Sequence, residues 1–402
     1  MTTTALESAE NEKGAGIGPR DKLYNTPLAY LRAFIIVLVV AHHSVMAYHI
    51  ILTEPLASSL ADHLGSMQAI SPVIDAQRSG MLSLFAAFND GFFMPLLFFV
   101  SGLFVWNSLR RKGRLDYFRD RLLRLGLPLV LMVALRPLTY YATYLQLGGD
   151  GGLADFWQQW SSIEWRGGPI WFLEVLLVFD ALVVLASFQS PGLPRTSKPM
   201  ESGLVQSPMK FYVGLVLLSV LAYVPISVAY GSFFWVQIGP ADVQINRVFL
   251  YAVYFGMGIF FGAHGLERTF IGPDSALARR WALWSVAGLV AFVIHLVTSL
   301  GAAHEILKGC SFVLSCATIS MGFLALFLNF AQTPRNLFDS LFDNCYGIYV
   351  IHYGVVGWMS YILLDAEMPA VAKWSIVFAA SMVICWGATA AIRRIPGVAR
   401  VL

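Results

Sequence analysis

The sequence has little charge and little cysteine. Asp, Glu, Lys and Arg make up only 13% of the 402 residues, whereas hydrophobic residues make up 57%. A soluble domain carries about twice that share of charged residues, so an ordinary soluble enzyme is excluded. The apolar residues occur in runs of about 20, the length that crosses a bilayer as a helix. The composition therefore predicts an all-α polytopic membrane protein embedded in a lipid bilayer.

The cysteines and basic residues exclude further classes. The four cysteines lie in or beside apolar runs without CxxC spacing: Cys310, Cys316, Cys345 and Cys385. Buried thiols account for them, and no metal ion is predicted. A compact basic domain and a nucleic-acid recognition motif are also lacking, so no nucleic-acid partner is predicted. Nothing in the sequence specifies an oligomeric state.

Ten apolar segments are candidates for transmembrane helices. They lie at about 28–50, 82–107, 121–147, 168–189, 211–230, 245–264, 279–300, 309–330, 342–364 and 370–392. Together they predict one ten-helix membrane domain over 25–395, with a Pro- and Ser-rich cytoplasmic linker at about 190–210. Residues 1–24 are polar and lack a cleavable signal pattern, which predicts a disordered cytoplasmic N-terminus. Residues 396–402 are predicted to be a cytoplasmic tail.

The distribution of basic residues gives the orientation. With the N- and C-termini in the cytoplasm, 20 of the 27 Lys and Arg residues fall on the cytoplasmic side, and four fall outside. Arg32, Arg136 and Arg247 lie within spans. Short cytoplasmic loops of membrane proteins carry an excess of Lys and Arg, so this asymmetry supports both the spans and the orientation.

Arg32 and His43 are the leading catalytic candidates. Eleven helical steps place them within about 20° of the same face and about 16 Å apart along the axis. In the predicted orientation Arg32 lies near the cytoplasmic edge, and His43 lies about 8 Å below the outer edge. Ionisable groups in a membrane helix are expensive and suggest function. The alternative for His43 is a packing role with a hydrogen bond to neighbouring backbone.

Glu174 and His352 are predicted at related depths. Glu174 begins the fourth span about 8 Å below the outer edge, so its carboxylate could orient His43 and stabilise the imidazolium. A water-filled vestibule wetting Glu174 is the alternative. His352 lies near mid-membrane, where it either contributes to a site or bonds across helices.

Asp90 and Arg136 are candidates for substrate binding. Asp90 lies near the outer end of the second span and either binds an acceptor or caps the helix at the interface. Arg136 precedes Pro137 deep in the third span. A proline frees a carbonyl one turn back, so Arg136 either satisfies that carbonyl or binds substrate.

The cytoplasmic run 109–128 carries seven cations. Anchoring to anionic lipid is one explanation, and a cradle for a polyanionic cofactor is the other, because guanidinium groups suit phosphates. Arg121 and Arg124 are three positions apart on one helical face, which favours the cradle for those two.

The chain resembles the membrane acyltransferase-3 family from about residue 24 to residue 402. Five segments in order carry the resemblance: Arg32 with His43, 93–102, Arg121 and Arg124 followed by Pro128, 168–174, and 344–352. The Met-Pro-Leu form of the second segment and the Ile-Pro-Gly-Val-Ala-Arg ending look closest to the branch that succinylates periplasmic glucans. Cys345 departs from the family, which often has a small residue there.

The resemblance implies an O-acyltransferase of the bacterial inner membrane. Acyl-coenzyme A in the cytoplasm, such as acetyl-CoA or succinyl-CoA, would donate an acyl group to a hydroxyl of a glycan or small molecule. Its phosphates would lie against Arg121, Arg124 and Arg32. His43 would take the proton of the acceptor hydroxyl. Glu174 would orient His43 or hold the acceptor, and Ser101 would stabilise the oxyanion or pack against Gly102.

A different class of function also fits several of these residues. In a transporter or flippase, Arg32, His43 and Glu174 would bind a substrate or relay protons. The two classes differ in whether thiol is released from acyl-CoA in a His43-dependent way.

Overall fold

The computed structural model describes residues 19–163, 168–189, 203–266, 269–272 and 274–402. Most of the predicted N-terminal segment, and residues 190–202 of the predicted linker, lie outside the described residues.

Seventeen helices and one two-stranded hairpin make up the described residues. The helices are α1 Pro19–Met46, α2 Leu60–Gly65, α3 Gly80–Asp90, α4 Phe93–Leu103, α5 Val105–Lys112, α6 Arg114–Arg121, α7 Leu127–Gln146, α8 Leu153–Ser161, α9 Trp171–Gln189, α10 Gly203–Gln206, α11 Pro208–Tyr230, α12 Ile245–His264, α13 Ala276–Arg279, α14 Trp281–Leu300, α15 Glu305–Phe330, α16 Asn336–Ile362 and α17 Ala370–Ile392. The strands are β1 Trp235–Ile238 and β2 Ala241–Gln244. A π-helical turn, Leu122–Gly126, joins α6 to α7, and 3₁₀ turns lie at Met67–Ile70 and Val398–Arg400.

The helical content confirms the prediction of an all-α polytopic membrane protein. Within the described residues, nine helical stretches are long and apolar enough to cross a bilayer, and they match nine of the ten predicted spans. The predicted span 342–364 corresponds to α16. This helix has 27 residues, about 40 Å at 1.5 Å per residue, but its tyrosines, glycines and His352 lower its hydropathy.

The low hydropathy of α16 follows from its position. It packs against α1, α7 and α17. Asn344, His352 and Ser360 on this helix are buried, so its polar groups face other helices instead of lipid. Polar residues within a membrane protein usually face the interior of the bundle and mark functional regions.

Glycines bring α4 and α12 into backbone contact. A methyl group at Gly258 would lie 2.2 Å from the carbonyl oxygen of Phe99, and one at Gly262 would lie 2.0 Å from that of Leu103. Small residues at such spacing allow membrane helices to approach closely. Because α3 ends just before α4 begins, this contact also brings the end of α3 beside the start of α12.

The hairpin between α11 and α12 is absent from the sequence-based prediction. Its strands pair antiparallel, with Ile238 opposite Ala241, so that Gly239 and Pro240 form a two-residue turn. Gly239 has φ +57°, and a glycine with positive φ before a proline fits a type II′ turn. Phe233, which precedes the hairpin, and Trp235 within it are largely exposed, as expected for aromatic residues at the membrane–water interface.

Candidate active site

His43 and His352 meet across α1 and α16. Nε2 of His352 lies 3.2 Å from Nδ1 of His43, and the ring centroids are 5.0 Å apart. His352 is fully buried, whereas His43 is partly exposed. The sequence placed the two histidines in different spans without predicting this contact.

The backbone fixes the tautomers of this pair. Nδ1 of His352 lies 2.5 Å from the carbonyl oxygen of Tyr349, and Nδ1 of His43 lies 2.9 Å from that of Val39. A carbonyl only accepts hydrogen bonds, so each Nδ1 of the neutral rings carries a hydrogen. Nε2 of His352 then accepts a hydrogen bond from Nδ1 of His43. The carbonyl oxygen of Val39 accepts from the same hydrogen. Nε2 of His43 is left with its lone pair and has no hydrogen-bond partner among the described residues, the state that a general base needs.

Tyr353 extends the site from His43 towards a cavity. Its ring stands edge-to-face to His43 at 5.4 Å. The same tyrosine lines a cavity of about 360 Å³, together with Arg136 and Trp358. A methyl group at Gly168 would lie 3.3 Å from the Tyr353 ring, so the turn before α9 also packs against this part of the site.

Glu174 reaches the same region from the first turn of α9 but does not bond to His43. Its Oε1 lies against Gly239 at the hairpin tip, 2.7 Å from where a β-carbon would stand. Its Oε2 is buried and has no hydrogen-bond partner among the described residues. The hydrogen-bond partner of the His43 ring is His352, so the predicted orienting role of Glu174 has no contact here. Its other predicted role, holding the acceptor, stays a prediction.

Arg136 binds the hairpin. Its Nη1 donates a hydrogen bond of 3.1 Å to the carbonyl oxygen of Pro240, and the residue is buried. The sequence suggested a carbonyl freed by Pro137 or a substrate as its partner. The carbonyl found here belongs to a hairpin 104 residues away in sequence, and substrate binding by Arg136 stays a prediction.

Asp90 forms an ion pair with Arg247. Two guanidinium nitrogens lie 2.7 Å and 2.5 Å from the two carboxylate oxygens. The Arg247 side chain is only 13% exposed, and its guanidinium stacks over Phe312 at 5.3 Å. The charges of Asp90 and Arg247 also act on His42, which places this histidine on their side of α1. Acceptor binding by Asp90 stays a prediction, but its carboxylate is already bound in a bidentate pair.

Arg121 is neutralised by a buried carboxylate. Its Nε lies 3.3 Å from Oδ2 of Asp180, whose side chain is 1% exposed. The hydroxyl of Tyr117 donates to the other carboxylate oxygen, and the guanidinium stacks over the Tyr117 ring at 5.0 Å. The sequence-based prediction did not include Asp180, although a carboxylate inside an apolar span was the available signal.

Arg124 and Arg32 are less constrained. The side chain of Arg124 is 52% exposed and lies 3.4 Å from Asp120, which is also paired with Lys112 at 2.8 Å. An exposed pair of this kind contributes little. Arg32 is exposed and forms no ion pair with any described residue.

Three arginines lie near the hydroxyl group of Tyr346. Its hydroxyl donates to the backbone carbonyl of Arg124, and the charges of Arg32, Arg124 and Arg121 all act on that hydroxyl. Arg124 lies in the π-helical turn, a feature that is frequent at functional sites. The three cations predicted for the donor therefore lie near the hydroxyl of Tyr346 in α16, although Arg121 already has a carboxylate partner.

Ser101 lies in α4 beside Gly102, where a methyl group would meet the carbonyl oxygen of Phe255 at 2.3 Å. No hydrogen bond joins Ser101 to His43 or to the arginines among the described residues. Its predicted oxyanion role stays a prediction, and its position beside a close helix contact favours the packing alternative. Across the residues that the structure describes, no group of three or more His, Cys, Asp or Glu side chains is placed to hold a metal ion.

Comparison with known families identifies the chain. The family model described as an acyltransferase domain, that of the acyltransferase-3 family, matches residues 27–390. The chain belongs to this family. The protein is thus a membrane acyltransferase. No curated protein and no solved structure matches the chain, so the roles of individual residues rest on the geometry of this acyltransferase.

Sequence reasoning missed several groups in the acyltransferase. Tyr346 lies in the family segment 344–352, and Tyr353 directly follows that segment. Neither tyrosine had a predicted role. At the hairpin tip, the sequence contains only a Gly-Pro pair that indicates a turn. Arg247 was recognised as intramembrane, and a search for an acidic partner would have pointed to Asp90.

Proposed function

We propose that this acyltransferase moves an acyl group from cytoplasmic acyl-CoA to a hydroxyl of a glycan or small molecule. The observation that carries the proposal is that Nδ1 of His43 contacts the carbonyl oxygen of Val39 and Nε2 of His352, which leaves Nε2 of His43 available as a base. A neutral imidazole with one nitrogen oriented and the other available is suited to general-base catalysis.

The chemical step balances without a further reactant. Nε2 of His43 takes the proton of the acceptor hydroxyl while the hydroxyl oxygen attacks the thioester carbonyl carbon. The carbon–sulfur bond then breaks, and the departing thiolate of coenzyme A takes the proton from the imidazolium. The products are an ester and free coenzyme A, so direct transfer needs no acyl-enzyme.

The arginines near Tyr346 support acyl-CoA, whose phosphates are anionic, as the donor. Arg32 forms no ion pair with a described residue, and the pair of Arg124 with Asp120 at 3.4 Å is exposed and weak, so both arginines are suited to phosphate groups. Arg32 and His43 are eleven residues apart on α1, about 16 Å along the helix. The extended arm of coenzyme A spans such a distance, which would bring the thioester to His43.

Glu174 supports a hydroxyl-bearing acceptor. A carboxylate only accepts hydrogen bonds when ionised, and its buried Oε2 has no protein donor among the described residues. A buried polar atom without a partner is costly. A hydroxyl of the acceptor would supply the missing donor on the side of the site that the hairpin closes.

Acetyl or succinyl is proposed as the acyl group, and the bacterial inner membrane as the location. Glucan succinylation is the finer proposal suggested by the second segment and the C-terminal ending. Mass spectrometry of cell-envelope glycans with and without the protein distinguishes these groups by the mass that is added.

The direct test measures thiol release. Purified protein in lipid nanodiscs, given acetyl-CoA or succinyl-CoA and a glycan acceptor, is expected to release thiol in an acceptor-dependent manner. Arg124→Ala is expected to raise the KM for acyl-CoA about tenfold, the value of one hydrogen bond to a charged group. Arg111→Ala, in the same basic run and exposed, is the matched control and should leave that KM unchanged.

Two results would contradict the proposal. An unchanged KM in Arg124→Ala would remove this residue from the donor site. Solute uptake that depends on His43, without thiol release from either donor, would replace the enzyme by a transporter.

A further inference from the structure

We propose that the β1–β2 hairpin forms the wall of the acceptor site and that its tip, Gly239–Pro240, positions Glu174 for the acceptor. This inference rests on the proposed function, because it assigns the acceptor to the side of the site that the tip closes. The hairpin thereby becomes a specificity-determining element of the reaction, and Gly239 a positioning residue.

The tip contacts two predicted site residues at once. The carbonyl oxygen of Pro240 accepts a 3.1 Å hydrogen bond from Nη1 of Arg136. Gly239 lies so close to Glu174 that a β-carbon would stand 2.7 Å from Oε1. One two-residue turn therefore sets the position of side chains from α7 and α9.

The base of the hairpin is held firmly, which gives the tip a defined position. Nδ2 of Asn246 donates to the hydroxyl of Ser227 at 2.9 Å and to the carbonyl of Ser232 at 3.2 Å. Asn246 is fully buried, and Val243 in β2 is 3% exposed. These bonds join the end of α11 to the start of α12, so the two strands project from a fixed origin.

The hairpin side of the site is continuous with His43. Arg136, which binds the hairpin tip, and Tyr353 line the same cavity of about 360 Å³. The ring of Tyr353 stands edge-to-face to His43. An acceptor between the hairpin tip and Tyr353 would therefore have a hydroxyl within reach of the base.

Contact with Gly239 also leaves Glu174 one oxygen for a ligand. Oε1 packs against the glycine, and Oε2 is buried without a partner among the described residues. A side chain at position 239 would displace the carboxylate. The geometry thus explains why the tip carries glycine, beyond the positive φ that the turn requires.

The test compares two glycines. Gly239→Ala is expected to raise the KM for the acceptor about tenfold, equivalent to losing one hydrogen bond to a charged group. The KM for acyl-CoA should not change, because the proposed donor site at Arg32 and Arg124 does not include the hairpin. Gly231→Ala is the matched control, because Gly231 precedes the same hairpin with φ +89° and has nothing within 4 Å of its β-carbon position.

A double-mutant cycle separates displacement of Glu174 from backbone strain. In a Glu174→Ala background the added methyl group at position 239 has no carboxylate to displace. Gly239→Ala should then raise the acceptor KM no further, since residues in contact show non-additive effects. Thermal unfolding of each variant in detergent checks that the protein remains folded.

The outcomes are distinct. Equal acceptor KM values for Gly239→Ala and Gly231→Ala, or additive effects in the cycle, overturn the inference while wild-type transfer stands. Absence of acyl transfer by the wild-type protein overturns the proposed function, and this inference with it, before any variant is compared.

Discussion

Two adjacent histidines on α1 face different surroundings. His43 meets His352 and Tyr353, and its Nε2 is left without a protein partner among the described residues. His42 lies on the side of Asp90 and Arg247, which bind each other through two short hydrogen bonds. Nδ1 of His42 is buried and has no hydrogen-bond partner in the part of the chain that the structure describes. One face therefore offers a reactive nitrogen, whereas the other holds a closed ion pair.

The difference shows that a polar group in a membrane helix is not sufficient evidence of catalysis. Arg247 and Asp90 satisfy each other, and their geometry explains both residues structurally. In His43, Nδ1 is hydrogen-bonded, whereas Nε2 has no hydrogen-bond partner among the described residues. What distinguishes His43 from His42 is its contact with Tyr353, which lines a cavity.

The largest effect is expected for His43. His43→Ala should lower kcat for acyl transfer by about 10²–10⁴-fold, the usual contribution of a general base. His42→Ala is the matched control, one residue away on the other face, and should change kcat by only a small factor. Coupled thiol release measures both. Equal losses in the two variants would remove the distinction between the faces.

The next largest effect is expected for the ion pair of Asp90 and Arg247. Asp90→Ala leaves the buried guanidinium of Arg247 without its carboxylate and should lower the free energy of unfolding by about 3 kcal/mol. Thermal unfolding in detergent measures the loss. Replacing both residues, as in Asp90→Ala with Arg247→Leu, should recover part of it. A higher acceptor KM in Asp90→Ala with unchanged stability would instead assign Asp90 to acceptor binding.

A smaller effect is expected for His352, a positioning residue for His43. His352→Phe keeps a ring but removes the acceptor for Nδ1 of His43, so kcat should fall about fivefold, the value of one hydrogen bond near 1 kcal/mol. His352→Gln supplies an amide oxygen and should restore part of the rate. Steady-state kinetics at saturating substrates measure both. No rescue by glutamine would argue that His352 acts by packing alone.

The smallest effect is a pH dependence in the segment 60–71, where His63, like His42, is a histidine held within the protein. Nε2 of His63 lies 2.9 Å from the carbonyl oxygen of Ser71, and the His63 side chain is fully buried. Burial lowers the pKa of His63 from 6.5 to about 4, although hydrogen bonds with the Ser71 backbone and the Gln68 side chain oppose the shift. The unfolded loop therefore binds a proton at higher pH than the folded loop, and stability is lost as the pH falls from 6.5 towards 4.

Amide hydrogen exchange of residues 60–71, corrected for the intrinsic pH dependence of exchange, should rise across that interval. His63→Phe has no titrating group and should show no such rise. A similar rise in both forms would show that another group controls the loop.

The sequence predicted the helices well because each follows from local hydrophobicity. Nine spans match by length and hydropathy. The hydropathy of α16 is too low for this criterion because the helix carries polar residues, which face other helices. The hairpin was not predicted, since two four-residue strands give too short an alternating pattern to recognise. Depth alone paired Glu174 with His43, but depth along a helix does not determine which face meets which neighbour.

By itself, the amino-acid sequence determined the membrane class, the order of the spans and the family, because these depend on composition and on local motifs. Only the tertiary structure decided the partners of the ionisable groups. His43 and His352 are 309 residues apart, and Asp90 and Arg247 are 157 apart. Helix packing brings such pairs together, and the energy of a buried polar group depends on its partner in space.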